Sequence, residues 1–168
     1  MRLDWLTLPI SAIISLQDSS IWKISKIGWG KDNKNHQVLD DGSLKVFYPK
    51  GSYSPSKFPQ GGIGFYASPE NMFPAQDLIF SYDVKFDETF QSVLGGKLPG
   101  LFLSEGTDKK YMREASGGQH SNTTSSLRIV WRKDFDTEAY VYLPENQSSE
   151  YQQIPNLIQN DAFGDSLW

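Results

Sequence analysis

The chain of 168 residues contains no cysteine, only two histidines and no apolar run long enough to span a bilayer. The absence of cysteine excludes a disulfide framework but leaves the compartment open, because many secreted β-proteins fold without bridges. His36 and His120 lie in no recognisable nucleophile motif. Because the sequence also holds no zinc signature and no phosphate-binding glycine loop, we expect an activity that needs neither a metal nor an organic cofactor.

The charge of the chain is uneven. A net charge of −4 and a pI near 5.1 argue against a nucleic-acid partner. Residues 97–133 nevertheless hold seven basic and three acidic residues. A basic segment in an acidic protein suits a groove that binds a polyanion, and the plainer interpretation is a solvated loop with several lysines.

Residues 1–20 are predicted as an N-terminal segment with weak leader character. Their apolar patch is interrupted by Pro9, and Asp4 lies where a signal peptide needs positive charge. The patch is too short to span a bilayer, so we expect no membrane partner. Residues 21–168 are predicted as a single domain.

The composition favours an all-β sandwich. Aromatic residues make up 14% of the chain, and 14 Gly with 9 Pro interrupt it at short intervals, which is typical of strands separated by turns. Strands are predicted over 43–49, 62–68, 78–86 and 95–103.

The segment "SSLRIVWRKDFDTEAYVYLP", residues 125–144, contains two alternating runs joined by a short polar connection. Each run has an apolar side and a polar or phenolic side: Leu127, Ile129, Trp131, Ala139, Val141 and Leu143 against Ser126, Arg128, Arg132, Tyr140 and Tyr142. A hairpin that turns near Asp134 pairs Arg128 with Tyr140 and Ser126 with Tyr142. A slip of one residue would expose the apolar side, so we predict this register, with the polar patch open to solvent.

Three interpretations of the patch remain open. It is a solvated sheet face on which arginine stems cover tyrosine rings, a sugar-binding surface, or a catalytic site.

The catalytic interpretation concerns a substrate that contains uronic acids. Removing the proton next to a sugar carboxylate requires a cation on that carboxylate, which Arg128 and Lys97 would supply. Nearby cations would lower the pKa of one tyrosine and make it a base, while the other protonates the leaving oxygen.

The chain resembles the alginate lyases of polysaccharide lyase family 14 and, more distantly, the glucuronan lyases. The matching elements are "YPKGSYSPSKFPQGGIGFYASP" (48–69), "SYDVKF" (81–86), "GGKLPGLF" (95–102), "SGG" (116–118), "SLRIVWR" (126–132) and "AYVYLP" (139–144). The resemblance implies a β-jelly-roll sandwich and β-elimination on a 1,4-linked polyuronate. It carries functional roles to Lys97, Ser126, Arg128, Tyr140 and Tyr142.

The resemblance sets the remaining expectations. Family members continue beyond a segment like "DAFGDSLW", so we expect the jelly roll to lack its C-terminal strands here. Arg132, His120 and Gln60 are candidate substrate-binding residues. We expect an extracellular monomer whose partner is an anionic polysaccharide. The alternative is a non-catalytic carbohydrate-binding module, or an inactive fragment, on the same fold.

Overall fold

A computed structural model describes residues 24–30, 35–41, 43–68, 76–106 and 114–168. The predicted N-terminal segment 1–20 lies outside these residues, and the boundary after residue 20 stays a prediction. Among the described residues, no helix is long and apolar enough to cross a membrane. The chain divides into two compact units, Met1–Tyr82 and Asp83–Trp168.

Wherever the structure describes strands in the two units, they pair antiparallel. The strands of the described residues are β1 Ile24–Trp29, β2 His36–Val38, β3 Leu44–Val46, β4 Gly64–Ala67, β5 Gly96–Ser104, β6 Thr124–Trp131, β7 Thr137–Tyr142, β8 Leu157–Ile158 and β9 Asp165–Leu167. Single 3-10 turns at Lys133–Phe135 and Tyr151–Gln153 interrupt them. The predicted all-β class is confirmed.

The first unit contains two small antiparallel sheets, β1 with β4 and β2 with β3. The β2–β3 hairpin closes where Leu39 N–H donates to the Ser43 carbonyl at 2.9 Å, and the Asp41 carboxylate accepts the Ser43 N–H at 2.9 Å. The strands predicted over 43–49 and 62–68 form as β3 and β4. Both are shorter than predicted, because a strand extends only as far as its partner pairs with it.

The second unit is one five-stranded antiparallel sheet with the order β5-β6-β7-β9-β8. The β6–β7 pairing places Arg128 opposite Tyr140 and Ser126 opposite Tyr142. The turn is held by Arg132 N–H, which donates to the Asp136 carbonyl at 2.7 Å. The predicted hairpin and its register are therefore confirmed.

The motif "GGKLPGLF" contains glycines where β5 approaches β6 too closely for a Cβ. A Cβ at Gly96 would lie 2.0 Å from the Trp131 ring, and one at Gly100 would lie 2.1 Å from the Leu127 carbonyl oxygen. The β5–β6 register shifts between Lys97 and Gly100. Proline within a strand is typical of such a bulge, and Pro99 lies at this one.

The strand predicted over 78–86 is wrong. No strand is assigned there in the part of the chain that the structure describes, and Ile79, Phe80 and Val84 are exposed. Alternation of apolar and polar residues predicts which side chains share a face, but a strand also requires a partner with a free edge.

The predicted burial of the hairpin faces is reversed. On the side predicted to be core, Leu127 and Ile129 are 40% and 38% exposed. On the side predicted to be open, Tyr142 and Ser126 are buried. The reason is tertiary: residues 115–118 and Gly164 lie across the polar side and hydrogen bond to it.

Trp131 is the buried member of the apolar side. It packs edge-on against the Phe86 and Phe90 rings, with centroids 5.6 and 6.0 Å away. Phe135, in the hairpin turn, joins this cluster at 4.8 Å from Phe86. Aromatic pairs in this geometry stabilise by about 0.5–1.5 kcal/mol beyond their buried area. The cluster therefore anchors the turn end of the hairpin that positions the site.

Candidate active site

Three strands bring the predicted catalytic residues onto one face of the second unit's sheet. Lys97 on β5 and Glu138 on β7 are both register partners of Val130 on β6. Next along the β6–β7 pair come Arg128 and Tyr140. Side chains two residues apart on a strand share a face, so the cations and phenols converge.

The two tyrosines form a contacting pair. Their hydroxyl oxygens are 3.4 Å apart, and their rings meet edge-to-face with centroids 5.6 Å apart. The Tyr142 oxygen accepts the Gly118 N–H at 3.0 Å, and the Tyr140 oxygen accepts the Gly164 N–H at 3.1 Å. Backbone amides from two separate loops thus fix both phenols.

Two cations lie beside the phenols. The Arg128 guanidinium carbon is 5.8 Å from the Tyr140 ring centroid and 5.7 Å from that of Tyr142. The Lys97 Nζ is 5.2 Å from the Tyr140 centroid. These distances are typical of cation–π contacts. The predicted convergence of an arginine, a lysine and two phenols is therefore present.

The Ser126 hydroxyl forms hydrogen bonds with both Arg128 and the Ala115 carbonyl. It donates to the Ala115 carbonyl at 2.7 Å and accepts from Arg128 Nη2 at 3.2 Å. Ala115 has a φ of 51°, an unfavourable backbone conformation for a residue with a Cβ. The strained residue directs its carbonyl oxygen at Ser126 and at Arg128 Nη2, 3.4 Å away. We interpret Ser126 as a residue that orients the guanidinium.

Arg132 has a partner that the sequence analysis missed. Its guanidinium forms an ion pair with Glu138, whose side chain is fully buried. In the sequence, Glu138 belongs to the polar connection of the hairpin. The alternation that places Tyr140 and Tyr142 on one face of β7 also places Glu138 on that face, and this pattern could have identified Glu138 in the sequence. The role of Arg132 in substrate binding stays a prediction.

The other two predicted binding residues, His120 and Gln60, belong to different units of the chain. The His120 ring lies 5.1 Å from the Tyr142 ring, and its buried Nε2 has no hydrogen-bond partner in the described part of the chain. Gln60 belongs to the first unit, where its side chain donates to the Pro55 carbonyl. Both substrate contacts stay predictions. The described residues include no cluster of three or more histidines and carboxylates able to hold a metal.

The prediction that nearby cations lower the pKa of one of the two tyrosines does not apply to Tyr140. Burial, followed by the hydrogen bond with Tyr142, raises the pKa of Tyr140 to about 12, although Gly164 N–H and Arg128 act in the opposite direction. Desolvation outweighs the nearby charge. The pKa of Lys97 is lowered, first by desolvation and then by Arg128 and Arg132, while Glu138 opposes the change.

Tyr140 is expected to stay neutral well into the alkaline range. An unfolded tyrosine ionises near pH 10, whereas the pKa of Tyr140 in the folded protein is about 12. The unfolded state then loses its proton first, so the free energy of unfolding contributed by this group falls as pH rises from about 10 to about 12. Subtracting the tyrosinate absorbance titration of Tyr140→Phe from that of the wild type isolates this group. A difference centred near pH 10 would contradict the assignment.

Comparison with solved structures shows which fold the protein has. The chain is similar to a solved structure described as the marine PL-14 alginate lyase from Aplysia kurodai, with 35% identity and a TM-score of 0.64. The match covers 86% of this chain and 56% of that one. The protein is thus of the β-jelly-roll sandwich class, as predicted.

Comparison with models of protein families shows the family of the chain. The family described as Polysaccharide lyase 14 matches residues 36–168, and the chain belongs to that family. No curated protein sequence matches the chain. The chain spans little more than half the length of the similar alginate lyase structure.

Proposed function

We propose that the protein is a polysaccharide lyase that cleaves a 1,4-linked polyuronate, with alginate as the first candidate, by β-elimination. Membership of polysaccharide lyase family 14 and the likeness to an alginate lyase support this proposal. The observation that carries it is the convergence of Arg128 and Lys97 on the Tyr140–Tyr142 pair. An extracellular location accords with a polysaccharide substrate and is part of the proposal.

The cations would act on the carboxylate of the sugar. Removal of the neighbouring C–H proton moves negative charge onto the carboxylate oxygens, so a cation placed there stabilises the transition state more than the ground state. Arg128 is held for this task by Ser126. Lys97 reaches the same face from β5, and its ammonium lies over the Tyr140 ring.

The phenols would transfer the proton. In the elimination, the C–H bond and the glycosidic C–O bond break, a C=C bond forms, and the proton ends on the leaving oxygen. Tyr140, with its pKa raised to about 12, is protonated at neutral pH and is assigned as the acid. Tyr142 is assigned as the proton acceptor, and this role requires it to react as the phenolate. Tyr142 takes the proton from carbon while Tyr140 gives its own proton to the leaving oxygen, and transfer from Tyr142 to Tyr140 across their 3.4 Å contact restores both groups.

The proposal is tested by incubating the protein with alginate and, separately, with glucuronan, and by following the ultraviolet absorbance of unsaturated uronate ends. We expect absorbance to rise with alginate and the reaction to need no added metal. The Lys97→Ala variant is the matched control for contaminating lyase. Binding of alginate without new unsaturated ends would overturn the lyase proposal and favour a carbohydrate-binding module.

A further inference from the structure

Glu138 is a buried carboxylate beside a group of cations. The residue is 2% exposed. Its Oε1 forms the ion pair with Arg132 and accepts the Ser166 hydroxyl at 3.2 Å. Its Oε2 is buried and has no hydrogen-bond partner within the described ranges. A carboxylate is costly to bury in this state, because half of its acceptor capacity is unused.

The position of Glu138 connects it to the proposed site. Lys97, Val130 and Glu138 form one row across β5, β6 and β7, on the face that carries Tyr140. Arg128 and Arg132 both repel the Lys97 ammonium, and Glu138 attracts it. Glu138 is thus an anion acting within a cluster of three cations.

Stability alone does not account for a charge at this position. A buried ion pair is usually no more stabilising than well-packed apolar residues of similar volume, because desolvation offsets the attraction between the charges. The cross-strand partner of Glu138 is Val130, itself buried and apolar. An apolar residue at 138 would suit that neighbour. The effect of the carboxylate on nearby charges is what an apolar residue could not reproduce.

We propose that Glu138 is a positioning residue that fixes the Arg132 guanidinium and, from the same row of the sheet, favours the charged form of the Lys97 ammonium. Its consequence for catalysis rests on the proposed function, since a charged Lys97 is what would bind the substrate carboxylate. The effect on Lys97 itself does not depend on any substrate.

The direction of the effect follows from the groups that face Lys97. These are Arg128 and Arg132, which oppose its charge, Glu138, which favours it, and the neutral ring of Tyr140. Replacing Glu138 with glutamine keeps the shape and removes the favourable charge. The Lys97 ammonium then loses its proton at a lower pH, so the alkaline loss of polyuronate binding also moves to lower pH.

The test follows the Lys97 titration directly. Lysines of the full chain are reductively methylated with isotopically labelled methyl groups, and the Lys97 NMR signal is assigned by its absence in Lys97→Arg. We expect the titration midpoint to fall in Glu138→Gln and to stay unchanged in Glu145→Gln, which removes an exposed carboxylate from the same unit. An unchanged midpoint in folded Glu138→Gln, or equal falls in both variants, would overturn the proposal.

A second variant covers failure of Glu138→Gln to fold. Glu138→Asp keeps the charge but withdraws it by one methylene, so a smaller fall of the Lys97 midpoint is expected, and no fall in that folded variant would count against the proposal. In alginate cleavage, Glu138→Gln is expected to lower kcat/KM about tenfold, mainly through kcat, equivalent to weakening one charged hydrogen bond in the transition state. A shifted midpoint in a chain without lyase activity would leave Glu138 as a positioning residue and remove the proposed function.

Discussion

Replacing Tyr142 with phenylalanine is expected to lower kcat for alginate cleavage by about 10²-fold to 10⁴-fold, the range for losing a general acid or base. The substitution removes the hydroxyl that contacts Tyr140 and leaves the ring in place. Proton transfer between carbon and the leaving oxygen then loses one of its two phenols. Steady-state kinetics that follow unsaturated ends give the measurement.

The same substitution has a predictable cost in stability. The Gly118 N–H loses its acceptor, so the free energy of unfolding should fall by about 1–3 kcal/mol. Tyr151→Phe is the matched control, because it removes a phenol that donates to Asp165 at 2.7 Å in the same unit but outside the site. We expect Tyr151→Phe to lose stability and to keep its kcat. A folded Tyr142→Phe with the wild-type rate would exclude Tyr142 from the mechanism.

The Arg128→Ala variant is expected to lose about 10²-fold to 10³-fold in kcat/KM. Enzymes lose activity in this range when a group that stabilises the developing charge of the transition state is removed. Arg128 lies at nearly equal distances from both phenol rings and is oriented by Ser126. Its loss leaves the developing charge on the substrate carboxylate with Lys97 alone.

Two further variants separate charge from geometry at this position. Arg128→Lys keeps the charge but not the planar fork that binds a carboxylate through two hydrogen bonds, so we expect only partial activity. Lys133→Ala removes an exposed cation from the adjacent turn and should leave kcat/KM unchanged. If Arg128→Ala and Lys133→Ala reduced activity equally, general attraction of a polyanion would explain the result better than a specific carboxylate contact.

The sequence predicted the hairpin well because its information is local. Strict alternation groups Arg128 with Tyr140 and Ser126 with Tyr142 whatever surrounds the strands, and the observed register is the predicted one. The strand predicted over 78–86 failed on the same kind of pattern, since pairing depends on a partner that the pattern does not contain.

Exposure and proton affinity were predicted less well, because both depend on segments distant in the chain. Tyr142 and Tyr140 are 1% and 9% exposed since the loops of Gly118 and Gly164 donate hydrogen bonds to them. This burial raises the pKa of Tyr140, whereas the sequence alone predicted a lowered pKa for one of the two tyrosines and did not distinguish them. Glu138 was overlooked because an acidic residue in a polar connection resembles ordinary solvated charge.

The order of residues along the chain determined that this protein is all-β, that it belongs to its family, and which side chains share a sheet face. Only the tertiary structure decided which face is covered, in which direction the pKa of Tyr140 moves and which carboxylate pairs with Arg132. The physical reason is the range of the interactions: side-chain alternation is set between neighbouring residues, whereas desolvation and charge balance sum over every segment that packs nearby.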